Sequence, residues 1–155
     1  MTNSERRNEG PLDPSSFEHS SFLRHSCFVI HRYFMAEHAR FEKLVGEAKK
    51  NIQEISPQET AAALKRGDTL LIDVRDPDEW QEGHIPGAKN FSRGTVELEI
   101  EEAAPDLSML IITHCGGGGR SALAAESLQR MGYTNVKSMA GGFKAWKAGG
   151  LPTAK

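Results

Sequence analysis

Two stretches of this 155-residue chain, Thr69-Leu70-Leu71-Ile72-Asp73-Val74 and Ser108-Met109-Leu110-Ile111-Ile112-Thr113, are near-continuous apolar runs with no alternation of polar residues. A strand with one wet face alternates, so runs of this kind suit strands covered on both faces. Helix signals flank them. Phe41, Leu44, Val45 and Ala48 recur at helical spacing and predict an amphipathic helix over 37–50. Ile52–Ile55 is a short strand. Ser56-Pro57-Gln58-Glu59 then supplies an N-cap, a proline at the first helical position and a carboxylate that can reach back, with Gly67 as the stop. Asp76-Pro77-Asp78-Glu79 repeats that arrangement before Trp80 and Gln81. A weaker strand at Lys89–Phe91 and a helix over Val96–Ala104 follow. Past the second strong strand come a helix over Ser121–Met131, with Leu123, Ala124 and Leu128 inward, a strand at Val136–Ser138 and a helix over Gly142–Ala148. Strand and helix in alternation give parallel strands joined by right-handed crossovers. The expected class is α/β, with helices on both faces of the sheet.

Composition narrows the function classes. With 38% hydrophobic residues, 26% charged residues and a net charge of -2, the chain is neither a disordered acidic tail nor a highly cationic nucleic-acid binder. No apolar run approaches the roughly 18–20 residues of a membrane span. Two cysteines, Cys27 and Cys115, are too few for a disulfide framework or a four-cysteine zinc site.

Residues 1–34 read differently from the rest. They are rich in Ser, His, Pro and Arg without a sustained period, and they lack the apolar core and cleavage site of a secretory signal. Glu5, Glu9, Asp13 and Glu18 argue against a transit peptide. The reading is a disordered or artefactual extension, with translation beginning at Met35, a helix over 35–50 and the main domain over 51–155. The absence of paired cysteines and of a secretory signal points to the cytoplasm.

The chemistry concentrates in His114-Cys115-Gly116-Gly117-Gly118-Gly119-Arg120-Ser121, between a buried strand and a helix. Ligand sites in open α/β sheets lie at the carboxyl ends of strands. A loop entering a helix presents unpaired backbone N–H groups, and glycines let them converge. Such a nest binds an anion, and the nearest one available is the thiolate of Cys115. The helix dipole supplies only about 0.3–1 kcal/mol, whereas a hydrogen bond to a charged acceptor is worth about 1.5–3 kcal/mol. Converging amides therefore dominate, Arg120 adds a fixed positive charge, and Cys115 is expected to be a reactive thiolate. A nucleotide-binding loop is excluded, because no Lys-Ser or Lys-Thr follows the glycines. His114 points to the opposite side of the strand from Cys115, which favours a structural role.

Several segments together resemble the single-domain rhodanese, or rhodanese-like sulfurtransferase, family across residues 51–153. Leu71-Ile72-Asp73-Val74-Arg75, Glu79-Trp80 and Gly83-His84-Ile85-Pro86-Gly87-Ala88 are similar to its N-terminal motif. His114–Ser121 is similar to its active-site loop, and Met139-Ala140-Gly141-Gly142-Phe143-Lys144-Ala145-Trp146 to its C-terminal motif. The resemblance implies about five parallel strands with helices on both faces. It implies that Cys115 takes a sulfane sulfur from thiosulfate or a persulfide, holds it as a persulfide, and passes it to cyanide or a thiol. Gly116, Gly117, Gly118, Gly119, Arg120 and Ser121 would line the substrate site. Asp73, Arg75 and Glu79 would form a structural ion-pair network, and His84 would be a scaffold residue. Trp80, Phe143 and Trp146 would be packing anchors. No metal or organic cofactor is implied, and the partners are a small-molecule or protein persulfide donor and a thiol or cyanide acceptor, with neither nucleic acid nor membrane.

Loop length separates the related chemistries. Cys115 and Arg120 enclose four residues, whereas phosphatases and arsenate reductases of this fold carry one more. Many thiosulfate-active members place Lys or Arg inside the loop, where this chain has only glycine. That difference shifts the expected donor toward a protein or glutathione persulfide. The alternatives are a non-catalytic sulfur-carrier or interaction module and an oxyanion-acting phosphatase or arsenate reductase.

Overall fold

The computed structural model describes residues 38–155. The expectations for residues 1–34, Met35 and Cys27 lie outside the described residues. Residues 40–155 form one unit. In chain order the elements are α1 (Ala39–Asn51), β1 (Gln53–Ile55), α2 (Pro57–Arg66), β2 (Thr69–Asp73), α3 (Pro77–Gln81), β3 (Lys89–Asn90), α4 (Val96–Ala103), β4 (Leu110–His114), α5 (Gly119–Arg130), β5 (Val136–Met139) and α6 (Gly142–Ala148).

The strands form one parallel sheet in the order β1-β5-β4-β2-β3. β4 is the middle strand and pairs with β2 from Thr69↔Leu110 to Asp73↔His114. Because the pairing is parallel and in register, the carboxyl ends of the two most buried strands finish together. One apolar cluster, including Ile72, Val74, Ile100, Ile111 and Leu128, packs the sheet against α4 and α5. A second, including Ala63, Leu71, Ile112, Phe143 and Trp146, packs the other face against α2 and α6. Both faces are covered, which is why the strand runs carry no polar alternation.

Local chemistry starts and stops the elements. At the head of α2 the Glu59 N–H donates to Ser56 Oγ at 3.2 Å, and the Ser56 N–H donates to Glu59 Oε2 at 2.8 Å. The Ser56 N–H, and the Ser56 hydroxyl that donates to the same oxygen at 2.7 Å, hold the Glu59 carboxyl below its usual range. A cap of this kind is worth about 1 kcal/mol. Gly67 closes the helix, its N–H donating to Leu64 O at 3.2 Å. At the carboxyl end of the chain, His84 and Ala154 exchange backbone hydrogen bonds of 2.9 Å each way, and Trp146 Nε1 donates to Pro152 O at 2.8 Å.

The structure shifts several expected boundaries. β4 begins at Leu110 instead of Ser108, because the Asp106 carboxylate accepts from the Ser108 N–H at 2.8 Å and folds 106–109 into a turn. α5 begins at Gly119, two residues before Ser121. Low helix propensity matters little in a first turn, where the amides have no intrahelical partner anyway. Leu123 is only half-buried, while Ala122 and Ala125 are buried, so α5 approaches the sheet on its alanines. On α1, Val45 and Ala48 are buried but Phe41 and Leu44 are 40% and 51% exposed. Among the described residues no helix is long and apolar enough to cross a membrane.

Candidate active site

Cys115 directly follows the central strand, at the end where β2 and β4 finish. It is buried, and the Gly118 N–H donates to its Sγ at 3.1 Å. The orientation of the loop follows from what lies behind it. The opening N–H groups of α6 have no intrahelical acceptors, and they bond outward to loop carbonyls: Phe143 N–H to Cys115 O at 2.7 Å and Lys144 N–H to Gly116 O at 3.1 Å. With two loop carbonyls drawn toward α6, an amide of the same loop turns to the sulfur. Two glycines permit this approach. Gly118 has φ +96, and Gly142 has φ +56 with room for no side chain, since a Cβ there would sit 2.3 Å from Cys115 O.

Arg120 is not pointed freely into the loop. Its Nη1 donates to Glu79 Oε2 at 2.6 Å and its Nη2 to Glu79 Oε1 at 2.9 Å, with Asp76 Oδ2 3.5 Å from Nη1. The paired guanidinium holds the Glu79 carboxyl below its usual range, against a partial burial that acts the other way. The hydrogen bonds that Arg120 donates to Glu79 raise Arg120 in turn. This clamp stands over Gly116, where a Cβ would lie 3.7 Å from Arg120 Nη2 and 3.8 Å from Glu79 Oε1.

The expected Asp73–Arg75–Glu79 network is therefore divided in two. Arg75 is buried and forks onto Asp73, with Nη2 at 2.6 Å from Oδ2 and Nε at 3.0 Å from Oδ1. From Glu79 it takes the backbone carbonyl, at 3.0 Å, and from Gly83 another, at 2.8 Å. The Glu79 carboxylate goes to Arg120 instead. Its local capping bond to the Asp76 N–H is long, at 3.4 Å, because a charged guanidinium is a stronger donor than a neutral amide.

His114 lies on the opposite strand face from Cys115, its ring 6.4 Å from that of Phe143 and its Nε2 3.6 Å from Asp73 Oδ2. Burial pushes it down to about 4; Asp73 opposes the shift and Arg75 adds to it. The ring is thus neutral near pH 7. His84 stacks on Trp80 with ring centroids 3.8 Å apart. Ser121, expected to line the substrate site, is buried with its hydroxyl on Ser138 Oγ at 3.0 Å, so its side chain serves the packing of α5 on β5. The structure brings Cys115, Gly116, Gly118, Arg120 and Glu79 together at the loop, while Asp73, Arg75 and His84 stand behind it.

Three contributors were not visible in the sequence. Phe41 and Val45 of α1 cover Gly119, where a Cβ would lie 3.1 Å from Phe41 Cζ and 3.4 Å from Val45 Cγ2. Asn90 donates from Nδ2 to Asp73 O at 3.0 Å and Arg75 O at 2.9 Å, fixing the turn after β2. An amide at the end of a two-residue strand was the only sequence signal for the last of these.

Fold and site together define a class: a parallel α/β sheet with a cysteine in a glycine loop at the carboxyl end of its central strand, where a single amide, that of Gly118, reaches the sulfur in place of the expected converging set. The chain belongs to the rhodanese-like family, whose model, described as "Rhodanese-like domain", matches residues 56–149. It is 36% identical over 96 residues to the thiosulfate sulfurtransferase GlpE of Pseudoalteromonas translucida, covering 62% of this chain and 90% of that one. Among solved structures it resembles a Rhodopseudomonas palustris protein described as a possible tyrosine phosphatase, at TM-score 0.66 and 33% identity, covering 74% of this chain and 93% of that one. It also resembles the polysulfide-sulfur transferase homodimer of Wolinella succinogenes, at TM-score 0.66 and 31% identity, covering 77% and 90%.

Proposed function

We propose that the protein is a rhodanese-type sulfurtransferase that carries sulfane sulfur on Cys115. Family membership and the names of the relatives support sulfur transfer as the activity class. The observation that carries the reading for this chain is the Gly118 N–H on Cys115 Sγ at 3.1 Å. That amide puts a hydrogen-bond donor where the reacting sulfur bears charge during transfer.

The scheme has two displacement steps. The Cys115 thiolate attacks the outer sulfur of thiosulfate or a persulfide, the donor's S–S bond breaks, and sulfite or a thiolate leaves. Cyanide or an acceptor thiolate then attacks the outer sulfur of the Cys115 persulfide and regenerates the thiolate. The short loop supports sulfur transfer over the oxyanion chemistry suggested by the description of the R. palustris neighbour, since four residues separate Cys115 from Arg120 and the guanidinium is already occupied.

Intact-mass measurement after incubation with thiosulfate or glutathione persulfide tests the reading. A gain of one sulfur, discharged by cyanide and absent in Cys115→Ser, is expected. No gain with either donor would reject sulfur transfer. Phosphate-ester or arsenate turnover in that case would favour the oxyanion reading, and its absence would leave a binding module.

A further inference from the structure

We propose that Glu79 is a donor-selecting residue: by clamping Arg120 it makes this site a receiver of thiol-borne persulfides, R–S–SH, in preference to thiosulfate. The inference rests on the sulfurtransferase reading above and deepens it.

Four observations converge. Arg120 is the only cationic residue between Cys115 and Ser121, and both of its terminal nitrogens are taken by the two Glu79 oxygens. A second carboxylate, Asp76, stands 3.5 Å from the same guanidinium, so the clamp as a whole bears more negative than positive charge. Lys144 reaches the loop through its backbone N–H and has an exposed side chain. Finally, Gly116 and Gly117 are bare without steric need. A Cβ at Gly116 would meet only the clamp, at ordinary contact distance, and one at Gly117 would meet nothing within 4 Å. Neither has the positive φ that would demand glycine.

The two donors ask different things of this mouth. With thiosulfate, Cys115–S⁻ and S–SO₃²⁻ give Cys115–S–S⁻ and SO₃²⁻: the S–S bond breaks and its electron pair leaves with sulfite, a dianion. With a persulfide, Cys115–S⁻ and R–S–SH give Cys115–S–SH and R–S⁻: the outer sulfur keeps its proton and the leaving group bears a single charge. A dianion arriving and departing beside Asp76 and Glu79 needs a free cation, which the clamp withholds. A thiol persulfide needs room for its R group, which the bare loop gives. Glu79 does not touch the reacting atoms; it acts through the position of Arg120.

The test compares kcat/KM for thiosulfate, glutathione persulfide and persulfidated serum albumin, with cyanide as acceptor. The native protein is expected to prefer a persulfide. In Glu79→Gln the ratio of thiosulfate to glutathione persulfide kcat/KM is expected to rise about tenfold, mainly through the thiosulfate KM. Gly117→Lys, which places a cation where a side chain has space, is expected to shift the ratio the same way and decides the matter if Glu79→Gln does not fold. Albumin loading at a rate comparable to glutathione persulfide would support a protein-borne donor, and slower loading a small thiol; both support the proposal. A native preference for thiosulfate, or a ratio unmoved by both variants, would overturn it while leaving sulfur transfer intact. Failure of every donor to load Cys115 would instead reject the activity itself.

Discussion

The backbone N–H of Phe143 donates to the carbonyl oxygen of Cys115 at 2.7 Å. Through this bond the carboxyl-terminal motif sets the path of the cysteine's own peptide. The ring of Phe143 in turn lies under the Arg75 guanidinium, 4.4 Å from its centroid, so the buried ion pair at the end of β2 and the cysteine that follows β4 share one residue, the first through its ring and the second through its backbone N–H.

Gly142→Ala tests that coupling. The new methyl would stand 2.3 Å from Cys115 O, at a residue with φ +56. Strain of this kind costs about 1–3 kcal/mol, and the contact is with backbone, which cannot swing aside. The variant is expected to lose that much in urea denaturation. Its rate of Cys115 persulfide formation is expected to fall further than its stability accounts for, as read by intact mass at a temperature where the variant remains folded.

The two ion pairs should respond unequally. Asp73 and Arg75 are 0% and 6% exposed at the side chain, whereas Glu79 and Arg120 are 39% and 32% exposed. Asp73→Asn leaves a buried guanidinium without its counter-charge and is expected to cost about 3–5 kcal/mol. Glu79→Gln breaks a solvent-screened pair and is expected to cost no more than about 1 kcal/mol. Chemical denaturation of both variants at neutral pH checks the contrast.

Acid should weaken the fold before the carboxylates titrate. His114 is held at about 4 in the folded chain, against an ordinary 6.5. Because its folded value is the lower one, the unfolded chain takes up the proton first as pH falls. Stability from the neutral ring is full above about pH 6.5 and is lost progressively down to about pH 4, amounting to about 3 kcal/mol at most. Burial drives the shift, Arg75 adds to it and Asp73, 3.6 Å away, opposes it. Neither ring nitrogen has a hydrogen-bond partner among the described residues. His114→Leu is therefore expected to be at least as stable at neutral pH and to lose most of this decline, measured as urea midpoints across that range.

α1 and the loop form a third testable pair. A methyl at Gly119 would stand 3.1 Å from Phe41 Cζ. Gly119→Ala is expected to destabilise by about 1 kcal/mol through this crowding, and the penalty should vanish in a Phe41→Ala background. A double-mutant cycle measures the coupling directly.

What was legible in the sequence was local or strongly periodic. The runs at Leu70–Ile72 and Leu110–Ile112, the Ser56–Glu59 cap and the cysteine at a strand end could be read because each is decided within a few residues. The partner of Glu79 could not. Asp-Pro-Asp-Glu reads as a helix cap, and only the fold brings Arg120, 41 residues later, to that carboxylate. The orientation of Ser121 was hidden for a related reason: it follows the loop directly in sequence, and only the helix and its neighbouring strand show that its hydroxyl accepts from Ser138. Gly142 read as the start of a helix, while its closeness to Cys115 O is a tertiary contact with no sequence period.

The reciprocal bonds between His84 and Ala154 tie the segment after α6 to the turn before Ile85. Gly83, one residue before that bridge, supplies the carbonyl that Arg75 holds at 2.8 Å. Ala154→Pro, which removes one of the two N–H donors of this clasp, is therefore expected to loosen the turn that holds the guanidinium behind Cys115.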